Sequence, residues 1–195
     1  MNRITRRRAL QLAGLGAVGG IAGCLDSLGV GGQPGEDGAG IVESKVHPLG
    51  STLSHPTGDA SSDQRGGAIL IDSADRLEAA LTARQLEDRL DEIDTDEFDF
   101  DEALLIYAWV SGPNTCYDEL TVDGLSIDGG KLQATVESVG PEEKKVCGEA
   151  VTHGHVLIEV TVDGPLPAEA EVSLIDGWGE GYTVAADVDQ QITPA

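Results

Sequence analysis

The stretch that decides the fold is Leu104-Leu105-Ile106-Tyr107-Ala108-Trp109-Val110, a run of aliphatic and aromatic residues without a charge. Such residues fit a buried, pleated backbone, so the run predicts a β-strand. A short apolar run upstream, 68–71, predicts a second buried strand. Further alternating runs downstream predict more strands, at 119–122, 125–127, 131–137, 155–162 and 171–175.

Turn sequences separate these strands, and Asp128-Gly129-Gly130 between two alternating runs predicts a β-hairpin. Between 73 and 92 the apolar residues recur mostly every three to five positions, which predicts one amphipathic helix capped by Asp72 or Ser73. No second helix alternates with the strands, so a parallel α/β sheet is not expected. We predict a mainly β (α+β) fold, an antiparallel β-sandwich or half-barrel with one flanking amphipathic helix.

The chain is strongly acidic, with 35 Asp and Glu against 12 Lys and Arg and a net charge of −23. Such a charge repels nucleic acid, so we predict no nucleic-acid partner. One interpretation of the acidity is a cationic partner or calcium. The other, which we favour, is solubility in concentrated salt, where the Debye length is about 3 Å. The spread of the acids and the scarcity of lysine resemble the composition of haloarchaeal proteins.

The first 23 residues have the parts of an export signal. Arginines precede an apolar run of 11 residues, 12–22, which is too short to span a bilayer and is rich in glycine. Thr5-Arg6-Arg7-Arg8-Ala9-Leu10-Gln11 resembles the twin-arginine export motif, with alanine where an aromatic residue is usual. The resemblance implies export across the cell membrane.

A lipid anchor is implied by the motif that follows. Ile21-Ala22-Gly23-Cys24 resembles a lipobox, so Cys24 would become the first mature residue and carry lipid on its sulfur. Two buried chains would anchor stably, at about 0.8 kcal/mol per buried CH₂. The Gly-, Ser- and Asp-rich sequence after Cys24 predicts a flexible tether, in which 42–52 offers one edge strand. We therefore predict a signal peptide over 1–23, a lipidated linker over 24–67 and one β-rich domain over 68–195.

Two cysteines, Cys116 and Cys147, remain once Cys24 is assigned to the lipid. Cysteines of an exported protein usually pair, because the compartment is oxidising. They lie 31 residues apart, and closing such a loop is worth about 3–4 kcal/mol on the chain-entropy view. No CxxC spacing indicates a metal or redox role. We predict a structural disulfide.

His153-Gly154-His155 is the candidate metal-binding motif. On a strand, residues i and i+2 project to one face, so both imidazoles could contact one ion. Zinc needs two more ligands, and a blue-copper site usually needs an axial Met, while Met1 is the only methionine. We favour the alternative, two polar residues at a strand start, and predict no cofactor.

Motifs of the common catalytic classes are missing from the sequence, among them Gly-x-Ser-x-Gly, His-Glu-x-x-His and a phosphate-binding glycine loop. The acidic segment 94–99 superficially resembles a calcium loop, but the EF-hand glycine and the spacing to a terminal Glu are missing. We therefore predict that the protein is not an enzyme.

The segment 98–106 leads into Ser111-Gly112-Pro113-Asn114-Thr115-Cys116-Tyr117, a strand followed by a loop similar to Gly-Pro-Thr-Gly-Tyr. With the later hairpin and strand, residues 68–162 resemble the PrcB-type domain of secreted and lipid-anchored bacterial proteins. Cys116 stands where that family usually has glycine. The resemblance implies a small β-rich domain that interacts with proteins, near a protease, and implies no catalytic residues. The same loop resembles, with a different residue order, that of chagasin-type protease inhibitors.

Our first functional hypothesis is a lipid-anchored domain on the exterior of the cell membrane that binds a protein partner. The rival hypothesis is a metal- or solute-binding surface lipoprotein that uses His153 and His155, and an enzyme ranks third. The predicted partner contacts are Gly112, Pro113, Asn114, Thr115 and Tyr117, with Trp178 and Tyr182 as candidate aromatic anchors.

Overall fold

A computed structural model describes residues 40–53, 65–90, 93, 95, 98–141 and 146–192. The export motif with Arg6, Arg7 and Arg8, the lipidation residue Cys24 and most of the predicted linker lie outside these residues. None of the helices that the structure describes is long and apolar enough to cross a membrane.

The described chain forms eight strands and two short helices, in two sheets packed face to face. Sheet A has the strand order β1-β6-β3-β2, and sheet B has the order β4-β5-β7-β8. The predicted mainly β sandwich with a flanking helix is confirmed, and the two sheets are separate. The elements are β1 (Gly40–Thr52), β2 (Gly66–Ile71), α1 (Ala74–Thr82), α2 (Glu87–Leu90), β3 (Ala103–Gly112), β4 (Glu119–Asp128), β5 (Lys131–Val139), β6 (Thr152–Asp163), β7 (Glu169–Ile175) and β8 (Gly181–Asp187).

Every residue of β3 is buried, because sheet A is covered on both faces. Alternate residues such as Ile106 and Ala108 pack with sheet B in one core. Leu105, Tyr107 and Trp109 point the other way, into a second core with α1 and Phe98. A strand with both faces covered reads as a continuous apolar run rather than an alternating one. The molecule therefore has three layers: sheet B, sheet A and the helices.

The edge strand that the sequence offered at 42–52 is present as β1, which lies before residue 68, the predicted start of the domain. β1 pairs antiparallel with β6 from Gly40 opposite Asp163 to Thr52 opposite His153. It forms an edge of sheet A and buries Leu49 against the helix layer. The edge is irregular, with register shifts between Ile41/Glu43 and between Pro48/Gly50, which discourages pairing with other chains.

The predicted hairpin is present, and its turn glycines Gly129 and Gly130 both have positive φ, 56° and 78°. The two strands predicted at 119–122 and 125–127 are one strand, β4, with a register shift between Asp123 and Ser126. The Asp123-Gly124 pair that we took for a turn is a bulge, in which Gly124 has φ 63°.

One strand pair departs from the antiparallel expectation. β5 and β7 pair in parallel. The strand between them in sequence, β6, belongs to sheet A and carries the chain back to the end at which β5 began, so β7 runs in the same direction as β5. The edge strand β8 was missed by the sequence analysis; it follows the short turn after β7 and pairs antiparallel with it.

The single helix predicted over 73–92 is interrupted after α1. The backbone N–H of Leu86 donates to the carbonyl of Leu81, and that of Gln85 donates to Thr82. Gln85 has φ 57°, in the left-handed region. These bonds form a Schellman-type end, with Leu81 and Leu86 both buried in the helix-layer core. Neither glycine nor proline marks this stop, so the periodicity alone did not reveal it.

Replacing Gln85 by glycine should stabilise the protein, because glycine adopts the left-handed conformation without the Cβ penalty. We expect Gln85→Gly to raise the free energy of unfolding by about 1 kcal/mol. Thr82→Gly, the same change within α1, should lower it by a similar amount. Denaturant unfolding of both variants measures this. Equal effects in the two variants would contradict the assigned helix end.

Candidate functional site

The strand directions bring the loops of interest to one end of the sandwich. β1, β3, β5 and β7 finish there, and the other four strands begin there. We call it the loop end; its segments are 112–118, 146–151 and 176–180, with Leu53 and Arg65 beside them. The opposite end, where the described chain begins at Gly40, is the base end. β1 alone has 13 residues, so the two ends are separated by about 40 Å at 3.3 Å per residue.

Exposed apolar side chains are concentrated at the loop end. Five large hydrophobic residues are exposed among those that the structure describes, and Val42 is the one that lies near the base end. Leu53 follows β1 at one edge of sheet A, and Trp178 lies against Arg65, which precedes β2 at the other edge, so these side chains are spread across the loop end. The four at the loop end are Leu53, Val146, Val151 and Trp178.

Trp178 sits in a turn that is held rigidly. The buried Asp176 accepts hydrogen bonds at Oδ1 from the backbone N–H groups of Trp178 and Glu180, both 2.9 Å. Arg65 donates to Asp176 Oδ2 at 3.0 Å and to Glu180 at 2.8 Å, and its guanidinium lies 4.6 Å from the centre of the Trp178 ring. The indole is 46% exposed. The turn backbone is thus fixed by Asp176, and the partly exposed indole lies against the Arg65 guanidinium.

The loop 112–118 is fastened to the segment 146–151. A disulfide joins Cys116 to Cys147, as predicted. Beside it the Thr115 N–H donates to the carbonyl of Gly148 at 3.1 Å, and the Gly148 N–H donates to Thr115 Oγ1 at 2.8 Å. Asn114 Oδ1 accepts from the Cys116 N–H at 3.0 Å and closes a local turn. The predicted contact loop is therefore ordered by covalent and hydrogen bonds.

Tyr117 packs the loops of the two sheets together. A Cβ added to Gly140 or Gly177 would lie within 3 Å of the Tyr117 ring, and one added to Gly112 would overlap its Cβ. The Gly177 N–H also donates to the carbonyl of Ser111 at 2.9 Å. The ring thus needs glycine on three sides, and its main contacts are inside the protein.

The predicted partner contacts therefore fall into two groups. Pro113, Asn114 and Thr115 are partly exposed at the loop end, whereas Gly112 is buried. Tyr182 is half-buried with its hydroxyl against Gly66, and burial raises the pKa of that phenol. Of the two aromatic anchors that the sequence suggested, Trp178 is the exposed one.

Two histidines, His153 and His155, project to one face of β6 as predicted, but that face is buried under the helix layer. Tyr107 Oη lies 2.8 Å from His155 Nδ1, and Thr52 Oγ1 lies 3.0 Å from its Nε2. Because Tyr107 also accepts a hydrogen bond from Arg84, its own proton is directed to Nδ1. His155 is then the Nε2–H tautomer and donates to Thr52.

Burial, and next the charges of His153 and Arg84, lower the pKa of His155 to about 3. His153 Nδ1 lies 2.9 Å from Ser111 Oγ, and both side chains are buried. Within the described residues, no group of three or more His, Cys, Asp or Glu is placed to hold a metal ion. Both nitrogens of His155 already have partners, so the geometry favours a structural role for this motif.

Several members of the loop end were not predicted from the sequence. Arg65 fell inside the predicted linker, and Asp176 was seen only as part of a turn. Val151 and Leu53 come from strand ends far apart in sequence. The sequence Asp176-Gly177-Trp178-Gly179 was the one signal that indicated an exposed aromatic residue here. A tryptophan between two glycines has no neighbouring side chains in the turn that could cover its ring.

Comparison with protein-family models, with curated proteins and with solved structures found no match.

Alanine at Gly177 should disrupt the loop end. Its Cβ would lie 2.6 Å from Pro113 Cδ and 2.8 Å from the backbone of Gly112, so the two loops must separate. We expect Gly177→Ala to lower the free energy of unfolding by about 1–3 kcal/mol, the usual cost of overpacking. Gly40→Ala is the control, because its added Cβ meets nothing within 4 Å. If chemical denaturation found both variants equally stable, this packing would be wrong.

The ring of His155 should stay neutral, with the proton on Nε2, as pH falls to about 4. In the unfolded chain the histidine pKa is about 6.5, so below that pH the unfolded state binds a proton that the native state rejects. This contribution should lower the free energy of unfolding by about 1 kcal/mol per pH unit from pH 6.5 toward 3. The slope should be shallower in His155→Gln. Histidine ¹⁵N NMR and acid unfolding measure both effects; a ring that titrates near pH 6.5 would contradict them.

Proposed function

We propose that the protein is a lipid-anchored domain on the exterior of the cell membrane and that it binds a protein partner through its loop end. The observation that supports the proposal is the position of Gly40, the first described residue after Cys24 in sequence. It lies at the base end, whereas four of the five large apolar side chains that are exposed in the described part of the chain lie at the loop end. A tether at one end leaves the other end free to meet a partner.

The proposed anchor is supported by the twin-arginine and lipobox resemblances and by the residues between the two motifs and the domain. Fifteen residues, 25–39, separate Cys24 from Gly40. If they behave as the flexible tether that their glycine content predicts, their root-mean-square reach is about 20 Å. The base end would then stay close to the membrane, and the loop end would stand some 40 Å further out.

The binding surface is supported by the way its apolar groups are held. The Trp178 turn is fixed by hydrogen bonds to Asp176 and by Arg65, and the neighbouring loop is fixed by the disulfide. A side chain that is already ordered loses little conformational entropy on binding, so more of the contact energy appears as affinity. Rigid, partly exposed aromatic side chains are the usual energetic centres of protein interfaces.

The rival hypothesis, a metal or solute site at His153 and His155, receives no such support. Their described hydrogen bonds are to Ser111, Tyr107 and Thr52, which is how buried polar groups are normally satisfied. We assign no catalytic residue.

Photo-crosslinking in the native cell tests the proposed function. A photo-reactive amino acid at Val151, at the loop end, should capture a protein in the membrane fraction, and the same probe at Val42 should not capture it. Trp178→Ala should reduce capture from position 151 at least about tenfold, since truncating a central aromatic anchor costs about 2 kcal/mol or more. Equal capture from both positions, or no effect of the Trp178 change, would place the contact elsewhere.

The anchor is tested on the same samples. Mass spectrometry of the mature protein should find Cys24 as the first residue with a lipid on its sulfur, and Cys24→Ser should release the protein from the membrane fraction. An intact signal segment with an unmodified thiol would remove the anchor from the proposal. Melting curves of each variant verify that the domain is folded, which Trp178→Ala should leave nearly unchanged because the ring is half exposed.

A further inference from the structure

We infer that the segment of the partner that seats on the loop end is a protein segment with an apolar centre and cationic flanks. This inference rests on the proposed function and adds the chemistry of the partner to it. It follows from the charges that lie near the exposed apolar side chains.

Exposed carboxylates lie on or next to the segments that carry the exposed apolar side chains. Asp118, Glu119, Glu149 and Glu180 are all exposed at the loop end. Within the described segments 112–118, 146–151 and 176–180 there is no lysine or arginine, and Arg65 lies beside them. Its guanidinium is held between Asp176 and Glu180 at 3.0 and 2.8 Å, so its charge is paired within the protein. Arg89 lies nearby, against Gly50 of β1.

Neighbouring segments of the sequence do not offset the exposed carboxylates. The stretch 54–64, which joins β1 to β2, contains two aspartates and neither lysine nor arginine. The stretch 142–145, which precedes Val146, contains two glutamates and two lysines, whose charges cancel. These two stretches of sequence therefore add no net positive charge.

Charge decides between the occupants that could cover the exposed apolar side chains. A second copy of this chain would bring the exposed carboxylates of the loop end into direct contact with their own image, and like charges in contact are unfavourable. An anionic lipid surface is repelled for the same reason. A segment that carries Lys or Arg beside its apolar residues matches both features, and it is the occupant we propose.

The two parts of such a contact would have different tasks. Trp178, Val151 and Leu53 would supply affinity by removing apolar surface from water. The carboxylates would supply selectivity, since electrostatic complementarity rejects wrong partners more than it strengthens the right one. In concentrated salt the Debye length is about 3 Å, so only ion pairs in direct contact would matter.

The experiment identifies the captured segment and then changes the carboxylates of the loop end. Peptides crosslinked to the probe at Val151 are sequenced by mass spectrometry, and each should contain apolar residues flanked by Lys or Arg with a net positive charge. The double variant Glu119→Lys/Glu149→Lys should lower capture about fivefold, because each exposed pair lost costs up to about 1 kcal/mol. The matched control, Glu43→Lys/Asp163→Lys, makes the same change in net charge at the base end and should leave capture unchanged.

The outcomes separate this inference from the proposed function. Captured segments that are neutral or acidic, or a double variant that captures as well as the control, overturn the cationic partner while the loop end remains a binding site. Capture of a second copy of the chain, or of lipid, overturns it also. Failure to capture any protein from position 151 overturns the proposed function itself and this inference with it.

Discussion

Sheet A must be covered on both of its faces, and the rest of the structure depends on this constraint. Its central strand β3 is buried along its whole length, with Trp109 and Tyr107 on the side opposite sheet B. Large aromatic side chains each bury on the order of 150–250 Å², at about 25 cal/mol per Å². The short helix α1 covers this face together with Leu86 and Phe98, which follow it in the chain.

Polar side chains on the covered face need hydrogen-bond partners within the protein, because water does not reach them. Tyr107, His155 and Thr52 satisfy one another in a chain of hydrogen bonds, and Ser111 pairs with His153. An unpaired polar group in such a place costs about 1–3 kcal/mol. Residues i and i+2 of a strand point to the same face, so His153 and His155 both lie in the buried layer under the helices. The same spacing would suit a metal site, but here it is explained by the position of the motif on β6.

Much of the fold followed from local sequence, and the parts that did not are non-local. β3, the Asp128-Gly129-Gly130 hairpin and the disulfide could be predicted because each depends on nearby residues or on the compartment. The parallel pairing of β5 with β7 and the docking of β1 on β6 depend on which strands meet in space. The bulge at Gly124 and the helix end at Gln85 depend on positive φ angles. Neither the alternation of a strand nor the periodicity of a helix predicts where such angles occur. Arg65 belongs to the site only because β2 begins beside the turn after β7.

The exposed apolar groups of the loop end are difficult to explain by stability. Val146 is fully exposed, so it removes almost no surface from water, and Trp178 leaves nearly half of a large ring in solvent. In a chain whose charge otherwise favours a hydrated surface, such side chains add a tendency to associate without adding to the core. The loops that carry these side chains are nevertheless closely packed. The Tyr117 ring fits between Gly112, Gly140 and Gly177, and the disulfide joins two of the loops. Stability of the fold therefore does not explain why these side chains are apolar, which is why we propose binding at the loop end.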